Sequence, residues 1–403
     1  MAVGESRIRR FYLFRAATSF ALWMPFWTLW AYENLDDLFL IAVVDAAFWG
    51  TMIGLQIPAG LIGDKYGRKA ALLLGEVLFA LGVLTFGLST EFWQYVVSNM
   101  IWASGVCFVI SGDTPFVYDT LVELKRENEF TVVMLTATVV MFAANAVACA
   151  VGGFIVEWSG RLDIPLIIAS LIALVGSLTV FMLKEPKVER KREFSYTAHL
   201  GVGLKQVISS KAIVILILFQ IVIEIGIYVM AFFRSIYMNE DLQLGFLEIG
   251  ILFASFLAVA AIVIRMARRI EGVLGEKRSL VFMYGLILIS FVIVFLVRHP
   301  IAIITQYPIY LVAGIQAPII SGYINRRVDS EHRSTVMAIA AFTFTSLLVV
   351  IEVGFGYMAS AWGLVESIMA MTLMTIPLAV FLLLQWSKEV DREREMGAGV
   401  DAI

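Results

Sequence analysis

"GLIGDKYGRKAALLLG" occupies residues 60–75. Gly60, Gly63 and Gly67 punctuate it, and Asp64, Lys65, Arg68 and Lys69 charge it. The chain on either side is apolar for long runs. A connection that only joined two helices would not need this density of charge. Its meaning depends on what surrounds it.

The 403-residue chain is 60% hydrophobic and only 16% charged, with a mean hydropathy of +0.88. Soluble domains carry about 25% charged residues. Crossing a bilayer takes about 20 apolar residues, and such runs recur along the whole length. Reading between charged breaks predicts twelve spans, near 11–32, 39–62, 70–89, 92–122, 131–157, 164–183, 212–233, 246–265, 279–297, 301–324, 334–358 and 363–386. The opening "MAVGESRIRRFYLF" has the basic flank of a signal peptide, but its apolar run continues to Tyr32 with no small-residue cleavage site. It reads as a retained first span.

The basic residues give direction. With the N-terminus inside and the spans alternating, 26 of the 30 Lys and Arg fall in cytoplasmic segments. Only Arg161, Arg234 and Arg298 fall outside, and Arg15 lies within the first span. The positive-inside rule therefore predicts both termini in the cytoplasm of a multi-pass protein of the cell membrane. The longest basic loop, 184–211, follows six spans and precedes six. It divides the chain into an N-terminal bundle over 1–183 and a C-terminal bundle with a short tail over 212–403. The fourth span, "SGDTPFVYDTLVE", and the tenth, "GIQAPIISGYINRR", each place a proline a few residues before a tyrosine, as a duplicated architecture would.

The opening stretch falls between the second and third spans, on the basic side. Its pattern, Gly60-x-x-x-Asp64-x-x-Gly67-Arg68-Lys69, resembles the signature loop of the major facilitator superfamily of transporters, at the same place. The resemblance extends to the whole chain: twelve spans, six-plus-six halves and a basic central loop. It implies an all-α membrane fold of two pseudo-symmetric six-helix bundles around a central cavity, closest in type to the prokaryotic drug exporters. It also implies a gating latch. Glycines let the backbone turn and helices approach. Asp119, at the cytoplasmic end of the fourth span, matches the family's latch carboxylate, and Arg68 is expected to pair with it bidentately. Gly60, Asp64, Gly67, Arg68, Lys69 and Asp119 are thus the latch candidates. The matching loop of the second half, "RMARRIEGVLGEKRS", has no aspartate at that spacing, so the latch is expected to be asymmetric.

Ionisable residues inside spans are costly, and face a cavity or a partner. Glu224 leads, because it lies near mid-membrane in the seventh span. Gln220, Glu224 and Tyr228, four apart, share one helical face. By resemblance, spans 1, 4, 7 and 10 line the cavity. Keeping a lone carboxylate charged there is costly, so proton exchange on Glu224 is a candidate coupling step, against a structural role as a permanently neutral acid. Arg15 and Asp113 are expected to pair across spans 1 and 4, structurally or functionally. Asp45 and Glu352 lie at similar depth in spans 2 and 11, which in the family meet across the halves. There two carboxyls can share a proton and control the outer gate. Glu76 is expected to pair with a loop Lys or Arg. Proton-coupling candidates are therefore Glu224, Asp113, Asp45 and Glu352.

"WMPFWTLWAY" adds Trp23 and Phe26 as walls for an apolar or cationic cargo, or as part of an interfacial belt. With Arg15, Gln220, Tyr228 and Gln316 they make the cavity candidates. Asn145 is expected to hold helices together. Cys107 and Cys149 lie in apolar runs, and the three histidines lie far apart in loops. No metal, cofactor or nucleic-acid partner is expected. There is no phosphate loop and no nucleophile–base pair, so an enzyme or ATP-driven pump is not expected. The expected function is proton-coupled export of a small organic molecule by a monomer in the bilayer. The alternatives are proton-coupled uptake of a nutrient or organic acid, an uncoupled facilitator, and a non-transporting sensor.

Overall fold

A computed structural model describes residues 2–187, 207–263, 266–329 and 332–395. Most of the expected central loop 184–211 therefore lies outside the described residues, as does the end of the C-terminal tail. The helices are α1 (Ala2–Thr18), α2 (Trp27–Leu35), α3 (Leu38–Tyr66), α4 (Arg68–Gly87), α5 (Phe92–Glu123), α6 (Phe130–Ser159) and α7 (Asp163–Ser177). They continue as α8 (Lys211–Ile236), α9 (Phe246–Val263), α10 (Ala267–Leu296), α11 (Gln306–Asn325), α12 (Arg333–Trp362) and α13 (Leu364–Glu395). Among the described residues, eleven segments are helical, long and apolar enough to cross a membrane. They match the second to twelfth expected spans.

The first expected span differs. The run 11–32 is not one helix: α1 ends at Thr18, α2 starts at Trp27, and residues 19–26 are irregular. Pro25 is the local cause. It has no N–H to donate back to Ala21, and it disfavours helical geometry at Met24. Irregular backbone at membrane depth persists only where its polar groups find partners in the protein or a water-filled cavity. Here Asn145 Oδ1 on α6 accepts from the Ala21 N–H at 3.4 Å. The helices behind the break carry glycines where its carbonyls press in. A Cβ on Gly152 would stand 2.6 Å from the Leu22 carbonyl oxygen, and one on Gly176 2.8 Å from that of Ala17.

Contacts divide the chain into two compact units. One contains residues 1–192, 238–258 and 352–360. Its tightest seam is α4 against α5, where Gly75, Gly82 and Gly105 let the two backbones approach directly, the usual device where no water drives helices together. The other contains residues 193–237, 259–351 and 361–403. Its centre is α8, buried at Ile213, Leu216, Phe219, Ile223 and Met230 among others. Ser210 caps α8 by accepting from the Ile213 N–H at 3.4 Å.

The close approach at Gly152 makes a direct prediction. Gly152→Val should lower thermal stability in detergent by the equivalent of about 1–3 kcal/mol, the range for overpacking. Gly60→Ala, where an added Cβ meets nothing within 4 Å, should leave the melting curve unchanged.

Candidate functional site

The turn from α3 to α4 is built on Gly67. Its φ of 102° suits glycine, and a Cβ there would lie 2.9 Å from Glu185 Oε1. Glu185 explains the crowding. Its two carboxylate oxygens accept from the Arg68 and Lys69 backbone N–H groups at 2.7 and 2.8 Å. An anion thus caps the first turn of α4, where unpaired N–H groups attract negative charge. Lys69 Nζ donates to the Leu183 carbonyl at 3.0 Å, tying in the same segment. Glu185 was not among the sequence candidates. The only hint of it was a carboxylate beside Pro186 just past a predicted span.

Arg68 does not make the expected bidentate pair with Asp119. Its short contact is Nη2 to Asp64 Oδ1 at 2.6 Å. Asp119 Oδ2 lies 3.6 Å from Arg68 Nε, an ion pair rather than a hydrogen bond. The i,i+4 spacing across the turn favours Asp64, which is local. Gly60 stands in open space.

The second half carries a counterpart with the signs exchanged. Gly275 breaks α10 with a φ of 69°, as Gly67 breaks α3 from α4. The next residue is an acid, Glu276, in place of Arg68. It takes Arg326 Nη1 at 3.1 Å and Arg327 Nη2 at 2.9 Å. Arg327 also holds Glu393 on α13 at 2.5 Å and lies over the Trp386 ring at 4.8 Å. The asymmetry expected from the missing aspartate is therefore one of sign.

Deeper in the first unit, Arg15 and Asp113 meet as expected, with Nη1 and Oδ2 3.3 Å apart. Glu76 is not paired with a loop cation. It is buried beside Thr18, Arg15 and Asp113. Two turns into α4, Glu76 lies on the buried face with Leu72, Gly75 and Ala80. The Arg15 guanidinium is thus paired with Asp113, and the Glu76 carboxyl lies within reach of its charge. Arg15 Nη2 also contacts Met141 Sδ at 3.1 Å. Phe26 is fully buried, against Phe246 at 6.4 Å. Trp23 is half-buried, edge-on to Trp102 at 4.5 Å. Both belong to the irregular segment rather than to a helix face.

The second unit contains a cavity of 370 Å³ lined by Gln220, Glu224, Tyr228, Gln316, Met337 and Phe344 among others. Four sequence candidates are thus brought together. Glu224 Oε1 accepts from Gln220 Nε2 at 2.8 Å and from Gln316 Nε2 at 3.0 Å. With one oxygen doubly engaged, the other is left to meet a proton or a guest. The amide oxygens of Gln220 and Gln316 are buried without donors. The partners of Glu224 are neutral amides, so its charge is not cancelled by a neighbouring cation.

Arg234, assigned by the charge pattern to an outer segment, instead lies in the last turn of α8 at 3% exposure. It bonds Gln306 Oε1 at 3.1 Å and the Tyr310 hydroxyl at 2.5 Å, with that ring 4.4 Å from its Cζ. The apolar "SIYM" beyond it was the signal that the helix continues. Asp45 and Glu352 are brought together as expected, both buried.

The signature turn, the paired prolines and this helical plan agree with a comparison against known families. The description of the Major Facilitator Superfamily matches residues 11–351. The chain belongs to the major facilitator superfamily. It is a multi-pass membrane protein of a transporter family, not an enzyme family. Multidrug resistance protein 2 of Bacillus subtilis is 28% identical over 232 residues, 55% of each chain. Sugar transport protein 12 of Arabidopsis thaliana is 26% identical over 167 residues, 40% of this chain and 31% of that protein. The matches thus span about half or less of these relatives. Among solved structures, the nucleoside transporter NupG superposes with a TM-score of 0.73 at 13% identity, over 96% of this chain and 99% of that one. A D-xylose-proton symporter gives 0.71 at 14% identity, over 94% and 97%. At such identities the likeness is one of fold.

The Arg15 cluster of this superfamily member orders a set of variants. Arg15→Leu strands two buried carboxyl groups, and should cost the equivalent of about 3–5 kcal/mol of stability. Asp113→Asn leaves Arg15 beside Glu76 and should cost clearly less. Thermal unfolding in detergent checks the order, and equal losses would mean that Glu76 does not share the arginine.

Proposed function

We propose that this superfamily member is a secondary transporter that exports small organic cations in exchange for protons, by alternating access. The carrying observation is the Glu224 carboxyl in the wall of the 370 Å³ cavity, one oxygen held by two amides. Fixed amides orient the carboxyl without neutralising it. As a carboxylate it attracts a cation, and when protonated it lets the cation go. Proton and cargo then compete for one group, which is the requirement for exchange. Tyr228 and Phe344 offer ring faces for the positive centre, and Met337 an adaptable apolar contact.

The similarity to Multidrug resistance protein 2 supports export of organic molecules. The basic-residue distribution supports a place in the cell membrane with both ends in the cytoplasm. The halves over 1–183 and 212–403 are the moving bodies, joined through 184–211, and one chain suffices. The charge clusters at the α3–α4 turn and around Glu276 hold the basic-side ends of the helices in one of the two states.

The test uses purified protein in proteoliposomes loaded with a pH dye, with tetraphenylphosphonium as the cargo probe. Adding the cation should drive a proton flux that Glu224→Gln abolishes. The variant should also bind the cation about tenfold or more weakly, for loss of a charged partner. Wild-type flux in the variant would overturn the assignment of Glu224. Proton-driven accumulation in the direction of uptake would overturn export.

A further inference from the structure

Asp45 and Glu352 belong to the compact unit that does not contain the Glu224 cavity. They lie toward the ends of α3 and α12 remote from the basic turn at Gly67. Those ends form a close seam. Ser360 Oγ accepts from the Phe39 N–H at 2.7 Å and donates to Asp37 Oδ1 at 2.5 Å. The Phe39 and Tyr357 rings meet edge to face at 6.2 Å. At Gly356 an added Cβ would lie 3.0 Å from the Leu38 carbonyl oxygen. The seam leaves no room for a bulkier residue there.

Into this seam the protein places two acids. Asp45 is 4% exposed and Glu352 1% exposed. The charge that acts on Glu352 is that of Asp45, and the two carboxyl groups face each other. Neither Glu352 oxygen receives a hydrogen bond from a protein donor. On the Asp45 side, the Trp49 indole N–H donates to Oδ2 at 3.0 Å. Asn99, on α5, donates to the Val44 carbonyl at 2.9 Å. Neither Trp49 nor Asn99 carries a charge.

Two adjacent carboxylates out of water repel strongly, and the buried Glu352 oxygens have no donor to stabilise a charge. One proton between them removes both penalties. The protonated acid becomes a donor to the other, and the pair titrates as a unit. A metal ion fits poorly: Ca²⁺ takes six to eight oxygens, and the described residues contain no group of three or more acid, His or Cys side chains suited to a metal.

We propose that Asp45 and Glu352 share a single proton, and that this proton bolts the α3–α12 seam shut. With it, the pair is a hydrogen bond joining the two helices. Without it, two negative charges occupy a dry seam, and the seam opens. The chain then has a second proton site, separate from Glu224, whose occupancy sets whether this end of the protein is sealed.

The test reads the seam itself, in the full chain reconstituted in lipid nanodiscs. Cys107 and Cys149 are replaced by Ala, and nitroxides are placed at Gly50→Cys and Gly354→Cys, where an added side chain meets nothing within 4 Å. Raising the pH should lengthen the dipolar EPR distance in this background. Glu352→Gln and Asp45→Asn, whose amides donate to the remaining acid at any pH, should each hold the short distance throughout. Infrared difference spectra should show a protonated carboxyl band that is lost with rising pH and absent in Glu352→Gln. Glu224→Gln should leave the distance response intact, so this proposal and the exchange mechanism fail separately. A distance independent of pH would overturn the bolt. So would pH-driven lengthening that persists in both acid variants, or lengthening that follows sodium at fixed pH.

Discussion

A polar group that leaves water for the bilayer has to be answered from within the chain, and the architecture depends on this. Where Pro25 stops the first span from running as one helix, the consequences reach four other helices. Asn145 on α6 gives the Ala21 N–H a second acceptor beside the Ser19 carbonyl. Gly152 on α6 and Gly176 on α7 make room for carbonyls that no longer lie inside a helix. Trp23 and Phe26, carried by the irregular segment, then pack against α5 and α9. Without those answers the break would leave unpaired backbone in an apolar layer, at a cost of several kcal/mol per group.

The same requirement sorts the charged side chains by place. Near the helix ends that carry the basic loops, opposite charges are matched: Arg68 between Asp64 and Asp119, Arg327 between Glu276 and Glu393. Farther in, matching is incomplete. Arg15 is paired with Asp113 close to a second acid, Glu224 is held by amides, and the unpartnered Glu352 carboxyl lies beside Asp45. A fully matched cluster is a static fastener. An acid without a cation must hold a proton or attract a positive guest, so its state depends on what arrives. This gradient runs from fastening at the ends to exchangeable charge inside, and suits a protein that moves a guest between two faces.

The sign exchange between the halves follows from the same physics. At Gly67 an arginine follows the turn and acids answer it; at Gly275 an acid follows and arginines answer. Either polarity cancels charge across a turn, because the attraction depends on the product of the charges. A duplicated fold can therefore keep the geometry of a cluster while its signs drift. A motif search for one polarity finds only one of the two.

Composition, the spacing of apolar runs and the glycine-charge pattern at 60–75 were enough to determine an all-helical membrane protein of this superfamily, with eleven of the twelve spans near their final places. Gln220, Glu224 and Tyr228 were legible as one face because helical spacing is a local property, and Gln316 because the family resemblance put its span among those lining the cavity. Tertiary structure alone decided the rest. It placed Glu76 beside Arg15, set Glu185 over the start of α4, and buried Arg234 against Tyr310. It also converted a proline in an apolar run into a broken helix. The physical reason is range. Hydrophobicity and helical period act within a few turns, whereas the partner of a buried charge is chosen by packing between segments distant in sequence, 76 residues apart for Arg234 and Tyr310 and 117 for Arg68 and Glu185.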